Sequence, residues 1–374
     1  MLKYQLDRTI AFPCSGAPYL QFALHVKWPG SYLTLKENKM VVEITSDSDL
    51  PKSLNTPTKQ QKKARQLASS HAGIPAIKAR GAYPKGFFSR TVLVELQDGE
   101  EVVIQFRPER LDIEPFELAR KVLGPVVPEI KPLQDEELDR EGIWAYWMTR
   151  MPGKTWLEGF RGKDPTYLVT INRSLGRILS RGFVADNSEQ VVERQLRPHL
   201  NLILTSKDDQ VRRFHDTAAD LLGKLDQLKM LPLFISHFDL NEVNVMIDDD
   251  CEVSGIIDWE LSVPLPFGMG FCRIHTTAGE FSEGKFYMPP DFENAEKGFW
   301  QEIYDGVPES VRKLLDTDPD AVQTAVMLGT LLDAFQLDEG KLGDRHNHVV
   351  LEALPKFFSY RIPFLRGSDP PYSK

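Results

Sequence analysis

The chain has 374 residues, of which 41% are hydrophobic and 26% charged, with a formal net charge of −9 at pH 7. That length suffices for two lobes with a real core, and the acidic balance argues against a nucleic-acid partner while suiting a neutral or cationic small molecule. The three cysteines (Cys14, Cys251, Cys272) cannot all pair, no apolar run reaches the roughly 18 residues of a membrane span, and residues 1–8 lack the apolar core of a signal peptide, so a cytoplasmic protein in a reducing compartment is expected.

Residues 19–27 and 40–44 alternate loosely and read as strands, while 46–57 is a loop rich in Ser, Asp, Pro and Asn. Residues 59–70 are basic and helix-prone, opened by Thr56-Pro57-Thr58; the cluster Lys59, Lys62, Lys63 and Arg65 reads as a solvated helix face. From Gly81 a two-glycine turn, Gly81-Ala82-Tyr83-Pro84-Lys85-Gly86-Phe87-Phe88-Ser89-Arg90, leads into a strand over 91–96, a turn at 97–100 and a second strand over 101–107. Residues 112–124 form a helix with Asp at its start, Pro near its first turn and a closing Gly, and with Phe116, Leu118 and Val122 or Leu123 as its inner stripe. Residues 143–151 followed by Pro152-Gly153 read as a last small-lobe strand and a hinge, with Trp144, Tyr146 and Trp147 as packing residues.

Beyond the hinge, Leu168, Ile171, Leu175, Ile178 and Leu179 mark one helix ending near 181, and Val211, Phe214, Ala218, Leu221, Leu222 and Leu225 a second over 209–230. Then comes Ser236-His237-Phe238-Asp239-Leu240-Asn241-Glu242-Val243-Asn244-Val245-Met246-Ile247-Asp248, answered by Val253-Ser254-Gly255-Ile256-Ile257-Asp258-Trp259-Glu260. Two short apolar runs around Asp248-Asp249-Asp250-Cys251-Glu252 read as a β-hairpin whose acidic tip is a solvated turn. A hairpin returns its far end beside its near end, so Asp239, Asn244 and Asp258 should converge. Hard oxygen donors gathered there suit Mg²⁺, which shares its coordination with substrate phosphates. The plainer alternative is a surface hairpin with an acidic turn. Residues 264–270 form a stiff loop, 311–315 and 321–335 are closing helices, and the last 20 residues are an irregular tail.

The spacing His-x-Asp-x-x-x-x-Asn at His237, Asp239 and Asn244, followed by Ile257-Asp258-Trp259-Glu260, resembles the aminoglycoside phosphotransferase family, relatives of the protein kinases, and its fungal members in particular. The resemblance runs from about residue 80 to about residue 340. It implies an α+β, two-lobed protein-kinase-like fold: an N-terminal extension of unassigned role at 1–80, a small β-rich nucleotide-binding lobe at 81–152, and a larger, mostly helical lobe at 153–374. Asp239 would be the catalytic base, with His237 bracing its loop, and Asn244 and Asp258 would hold Mg²⁺. The turn before the first strand would cover ATP phosphates, with Gly86 and Ser89 matching loosely and Lys85 or Arg90 adding charge; as an ordinary hairpin lead-in it would need no ligand. Backbone at Met148 to Met151, across Arg150, would bond the adenine, and residues 271–300, with Glu280, Phe281, Glu283, Tyr287, Asp291 and Trp300, would border the acceptor.

One position departs from the family. Where a phosphate-binding lysine is expected stands Gln105, and Arg107 lies two residues on, on the same strand face. Its guanidinium could bind phosphate as a fork, or both side chains could line a solvated face. Glu117 resembles the glutamate that pairs with the missing lysine, Glu114 being the alternative; either could be a surface charge favoured by a helix N-terminus. The expected function is transfer of a phosphoryl group from ATP to a hydroxyl of a small metabolite, with nucleotide and small molecule as the partners and neither nucleic acid nor membrane. The alternative that Gln105 keeps open is a kinase fold without phosphotransfer: a pseudokinase, or a repurposed catalyst in metabolite biosynthesis.

Overall fold

A computed structural model describes residues 43–363, apart from 84, 279, 283–284, 339 and 344–347. The strand expected at 19–27, most of that at 40–44, Glu283 and nearly all of the C-terminal tail lie outside the described residues.

The small lobe is one antiparallel sheet. Its strands β1 (Ala76–Gly81), β2 (Arg90–Leu96), β3 (Glu101–Arg107), β4 (Ile130–Leu133) and β5 (Trp144–Thr149) run in the order β1-β2-β3-β5-β4. Strand side chains alternate between the two faces. Val92, Val94 and Leu96 on β2, with Val102, Ile104 and Phe106 on β3, therefore share the outer face, and all six are buried. They are covered by the helix α1 (Pro57–Ala72), through Ala64, Leu67 and Ala68. Burying one leucine such as Leu67 contributes about 2 kcal/mol.

Helix α1 starts as its sequence dictates, with Pro57 at the first helical position and the Thr56 hydroxyl accepting the Lys59 amide. Its basic cluster is not uniformly solvated. Lys63 is buried and clamped between Asp135 and Glu137, 2.8 Å from each. Those carboxylates belong to the N-terminal end of the short helix α3 (Glu136–Arg140), α2 being the helix Glu114–Leu123 before it. The lysine stem packs within the sandwich while its charge ties α1 to the segment leading into β5. Ile44, Leu50 and Leu54 fill the same outer core. The described part of the extension is thus built into the small lobe, whose first strand begins at Ala76, before the boundary expected at 81.

The hinge leads into the larger lobe through β6 (Lys154–Thr155), α4 (Tyr167–Leu179), β7 (Phe183–Ala185), α5 (Arg197–Thr205) and α6 (His215–Gly223). The chain continues with β8 (Leu233–His237), β9 (Val245–Ile247), β10 (Val253–Ile256), β11 (Ser262–Pro266), α7 (Arg273–Ala278), α8 (Phe292–Gly306) and α9 (Pro319–Ala334). These strands form two three-stranded sheets, β10-β9-β6 and β11-β8-β7. The helix expected over 209–230 is broken into Asp209–Arg212, α6 and a 3₁₀ turn at Leu225–Met230. Phe214, at φ −112° and ψ 10°, makes the first break and buries its ring against Phe335, centroids 5.5 Å apart. On α2, Phe116, Ala119 and Leu123 are buried in the core of the larger lobe, where the helix packs against residues 259–261, β8 and β11. The arrangement is the two-lobed, kinase-like α+β fold. Cys251 and Cys272 are free and buried, and among the described residues no helix is long and apolar enough to cross a membrane.

Candidate active site

The site grows from the end of β8. β9 and β10 form the expected hairpin, with Asp248, Asp249 and Asp250 exposed at its tip. The Ile257 amide donates to the Asn244 carbonyl at 2.8 Å, which closes the hairpin's far end onto its near end. His237 ties the same two segments together: Nε2 lies 2.9 Å from the Ile257 carbonyl, and Nδ1 lies 3.2 Å from the Asp239 amide. A carbonyl only accepts and an amide N–H only donates, so the ring is neutral with its proton on Nε2. Burial holds its pKa below the usual histidine value in the same sense. The ring also meets Trp259 edge-on, centroids 4.7 Å apart. His237, expected beside the base as the brace of its loop, is 3% exposed and has both ring nitrogens engaged by backbone.

Asp239 is fixed in the plane of its carboxylate by two amides. Asn241 Nδ2 donates to Oδ1 at 3.0 Å, and Asn244 Nδ2 donates to Oδ2 at 2.9 Å. Both amides also donate to the Asp239 carbonyl, at 3.0 and 2.7 Å. Asn241 Oδ1 in turn accepts the amides of Val243 and Asn244 at 2.9 and 3.2 Å. Because the nitrogen of the Asn244 carboxamide faces Asp239, its oxygen, the atom a cation would need, is turned away from that carboxylate.

Asp258 follows β10 in the left-handed region, at φ 64° and ψ 54°. Such a backbone costs about 1 kcal/mol or more for a residue other than glycine and persists where its surroundings over-determine it. Here the neighbours on both sides are pinned: Ile257 by Asn244 and His237, and Trp259 by its indole N–H donating to the Ile256 carbonyl at 2.7 Å. Asp258 is exposed to solvent. Crowding by the surrounding protein, and then the charges of Glu260 and Asp239, push its pKa well above the usual carboxylate range, with Arg107 opposing. A carboxyl group raised by neighbouring carboxylates is one a divalent cation would return to its charged form. Among the described residues no three His, Cys, Asp or Glu side chains cluster to hold a metal; the fit to Mg²⁺ rests on a carboxamide oxygen joining Asp258.

Gln105 and Arg107 both face the cleft, but not as a solvated surface. Arg107 is buried, with Nη2 2.6 Å from Glu260 Oε2 across the lobe boundary and Nη1 3.3 Å from Gln105 Oε1. Gln105 donates to the Thr91 hydroxyl at 3.4 Å. Glu117 is exposed on α2, and the countercharge of Arg107 is Glu260 instead. Gly86 is exposed, and a Cβ there would come no nearer than 3.4 Å to Ser89 Oγ, so the fold itself does not demand glycine at that position. Ser89 is buried. Lys85 and Arg90, considered as phosphate charges, are both paired with Asp47, at 2.7 and 2.6 Å.

At the hinge, Met148 and Met151 are buried, and Arg150 folds back to donate to the carbonyls of Met151 and Gly153. Gly153 has φ +85°, and a Cβ on it would stand 2.2 Å from the Ile247 carbonyl, so glycine alone lets the hinge seat on β9. Trp300, expected at the acceptor border, is instead core, packed edge-on against Phe271 and Phe299. Tyr287 is exposed, and the side chains of Glu280 and Phe281 lie outside the description.

Sequence reasoning passed over Asn241, Asp47 and a buried pair between Arg273 on α7 and Asp333 on α9, Nη2 to Oδ1 2.6 Å. Burial works against the charge of Arg273, but the carboxylates of Asp333 and Asp239 outweigh it and raise its pKa. Asn241 could have been found by asking what orients Asp239, since an Asn two residues on is suited to an Asx turn. Asp47 and Asp333 lie too far along the chain to leave a local signal.

A protein-family model described as the phosphotransferase enzyme family matches residues 82–271, just over half of the chain. No curated protein matches the sequence. Among solved structures the chain is similar to aminoglycoside phosphotransferase APH(4)-Ia at 13% identity, covering 72% of this chain and 89% of that one with a TM-score of 0.47. It is similar to macrolide 2'-phosphotransferase MphH from Brachybacterium faecium at 15% identity, with 80% and 98% covered and a TM-score of 0.46. For an ethanolamine kinase of Plasmodium vivax the values are 13%, 75% and 77%, and 0.44. With the family model spanning β2 to β5 of the small lobe and the loop that carries Asp239, the chain belongs to the phosphotransferase enzyme family.

Proposed function

We propose that the protein transfers a phosphoryl group from ATP to a hydroxyl of a small metabolite, in a Mg²⁺-dependent reaction. The observation that carries this reading is the Asp239 carboxylate, held in plane by Asn241 and Asn244 within the electrostatic reach of Asp258. A base so fixed can orient an acceptor hydroxyl and take its proton as the bond to phosphorus forms. The Asn244 oxygen and Asp258 would hold Mg²⁺, which offsets phosphate charge when bound. His237 keeps the loop registered against Asp258. On the small lobe, the backbone of the turn at Gly86 and Ser89 would approach the phosphates, Gln105 and Arg107 would face them, and hinge backbone between Met148 and Met151 would meet the adenine. The two free, buried thiols are consistent with a cytoplasmic setting.

Thermal stability measured with ATP, with and without Mg²⁺, followed by ADP release across hydroxylated and amino metabolites, tests the reading. A metal-dependent rise in stability and one acceptor that depends on Asp239 are expected. No effect of ATP under either condition would overturn it. A second reading has one observation in its favour: Gln105 is neutral, and Arg107 is already engaged by Glu260. A kinase fold that binds nucleotide without transfer, or serves another step of metabolite assembly, would show the stability rise and no ADP release with any acceptor.

A further inference from the structure

The extension meets the small lobe at the turn that leads into β2. Arg90 has the same strand parity as Val92, Val94 and Leu96, so its side chain points to the outer face, away from the cleft. There its Nε lies 2.6 Å from Asp47 Oδ1, while Nη1 donates to the carbonyls of Gly86 and Ser89 at 2.8 and 3.0 Å. Lys85 Nζ reaches the other Asp47 oxygen at 2.7 Å. One carboxylate therefore bridges both ends of residues 85–90. The backbone adds two bonds: the Ile44 amide donates to the Phe87 carbonyl at 2.6 Å, and Arg90 Nη2 donates to the Ile44 carbonyl at 3.2 Å.

Asp47 is itself held in place. Residues 46–49 form a capped turn in which Asp49 Oδ2 accepts the amides of Thr45 and Ser46 at 2.9 and 2.7 Å. Ile44, Leu50 and Leu54, on either side, are anchored in the outer core. The turn, by contrast, lies over a cavity of about 70 Å³ lined by Gln60 and Gln61 of α1 and by Lys85, Gly86, Arg90 and Thr91. With that room on the α1 side, the turn is held by its polar bonds to Asp47 and Ile44.

We infer that Asp47 is a positioning residue for the nucleotide: through Lys85 and Arg90 it holds the turn at the height where backbone amides of residues 85–89 meet the ATP phosphates. The extension is on this account the outer wall of the nucleotide site. The inference rests on the nucleotide reading above. It gives Lys85 and Arg90 an indirect part in phosphate binding, through the shape of the turn.

The test compares ATP with adenosine, which lacks phosphates, on the full-length protein. In Asp47→Asn the affinity for ATP should fall about tenfold, equivalent to about 1.4 kcal/mol, while that for adenosine is retained; Asp47→Glu, which keeps the charge, should recover part of the loss. A general loosening of the fold would lower both affinities together, and that result overturns the inference. So does an unchanged preference for ATP in Asp47→Asn when the wild type binds ATP. A wild type that binds neither ligand removes the nucleotide reading first and this inference with it. Hydrogen exchange on the wild type is a check that needs no variant: ATP should slow residues 44–50 and 85–90 together. Slowing of 85–90 alone counts against the role of Asp47.

Discussion

The wall of the cleft on the larger lobe, residues 237–258, is held by bonds among its own residues: His237 to Asp239 and Ile257, Asn241 and Asn244 to Asp239, and the Ile257 amide to Asn244. The facing wall on the small lobe is held by partners far along the chain. Lys85 and Arg90 reach 38 and 43 residues back to Asp47, and Arg107 reaches 153 residues forward to Glu260. In the first wall the side chains that orient Asp239 are local, while its backbone also accepts the Leu157 amide at Glu242 and donates the Ile256 amide to Val126. The second takes its shape only once the extension has docked and the two lobes have met. Damage to the first should therefore appear in turnover, and damage to the second in nucleotide affinity and stability.

The sharpest break in that contrast is Asp239→Ala, for which turnover should fall by about 10²–10⁴-fold with ATP binding largely kept, as measured by ADP release and calorimetry. Equal losses in both would mean that the loop around Asp239 also shapes the nucleotide site. A pH effect of the next size comes from the helical scaffold, where His199 on α5 is buried with Nε2 2.6 Å from the Phe335 carbonyl. Burial lowers its pKa from 6.5 to about 4, so between those values the unfolded chain binds the proton that the folded one refuses. Stability is then fully present above pH 6.5 and is lost as pH falls toward 4, by up to about 3 kcal/mol. Urea midpoints at pH 7 and pH 4.5 should show the drop, and His199→Gln should flatten it.

Glu260→Gln sharpens the comparison from the other wall. It leaves the buried Arg107 without its countercharge and should lower unfolding free energy by about 1–3 kcal/mol, read by urea titration. A neutral effect would show that the interlobe pair does not hold the small-lobe wall. The smallest change is expected for Asn241→Ala, which frees one oxygen of Asp239 while Asn244 still holds the other. Turnover should drop about tenfold, equivalent to about 1.4 kcal/mol in barrier, with KM for ATP unchanged; a rise in that KM instead would give Asn241 a part in nucleotide binding.

Local order decides what could be read in advance. Helix α1 and its Thr56 cap, strands β2 and β3, helices α2 and α4, and the β9–β10 hairpin with its acidic tip were legible because period, cap and turn chemistry act within a few residues. The convergence of Asn244 with Asp239 was legible for the same reason, since a hairpin brings its own ends together. The partners of Lys63, Arg107 and Arg90 were not, and each was first assigned to a solvated face or to phosphate. A charged side chain carries no mark of which distant carboxylate it will meet.

The sequence by itself determined the loop around Asp239, the alternating strands and the composition of both cores, because hydrophobic period and short-range hydrogen bonding need no distant partner. Only the tertiary structure decided that Asp258 would sit in a left-handed turn with its own pKa raised, that Arg107 would close on Glu260, and that Asp47 would grip the turn before β2. The physical reason is that burial and Coulomb energy depend on what surrounds a charge in space, and those surroundings exist only after segments remote in sequence have packed together.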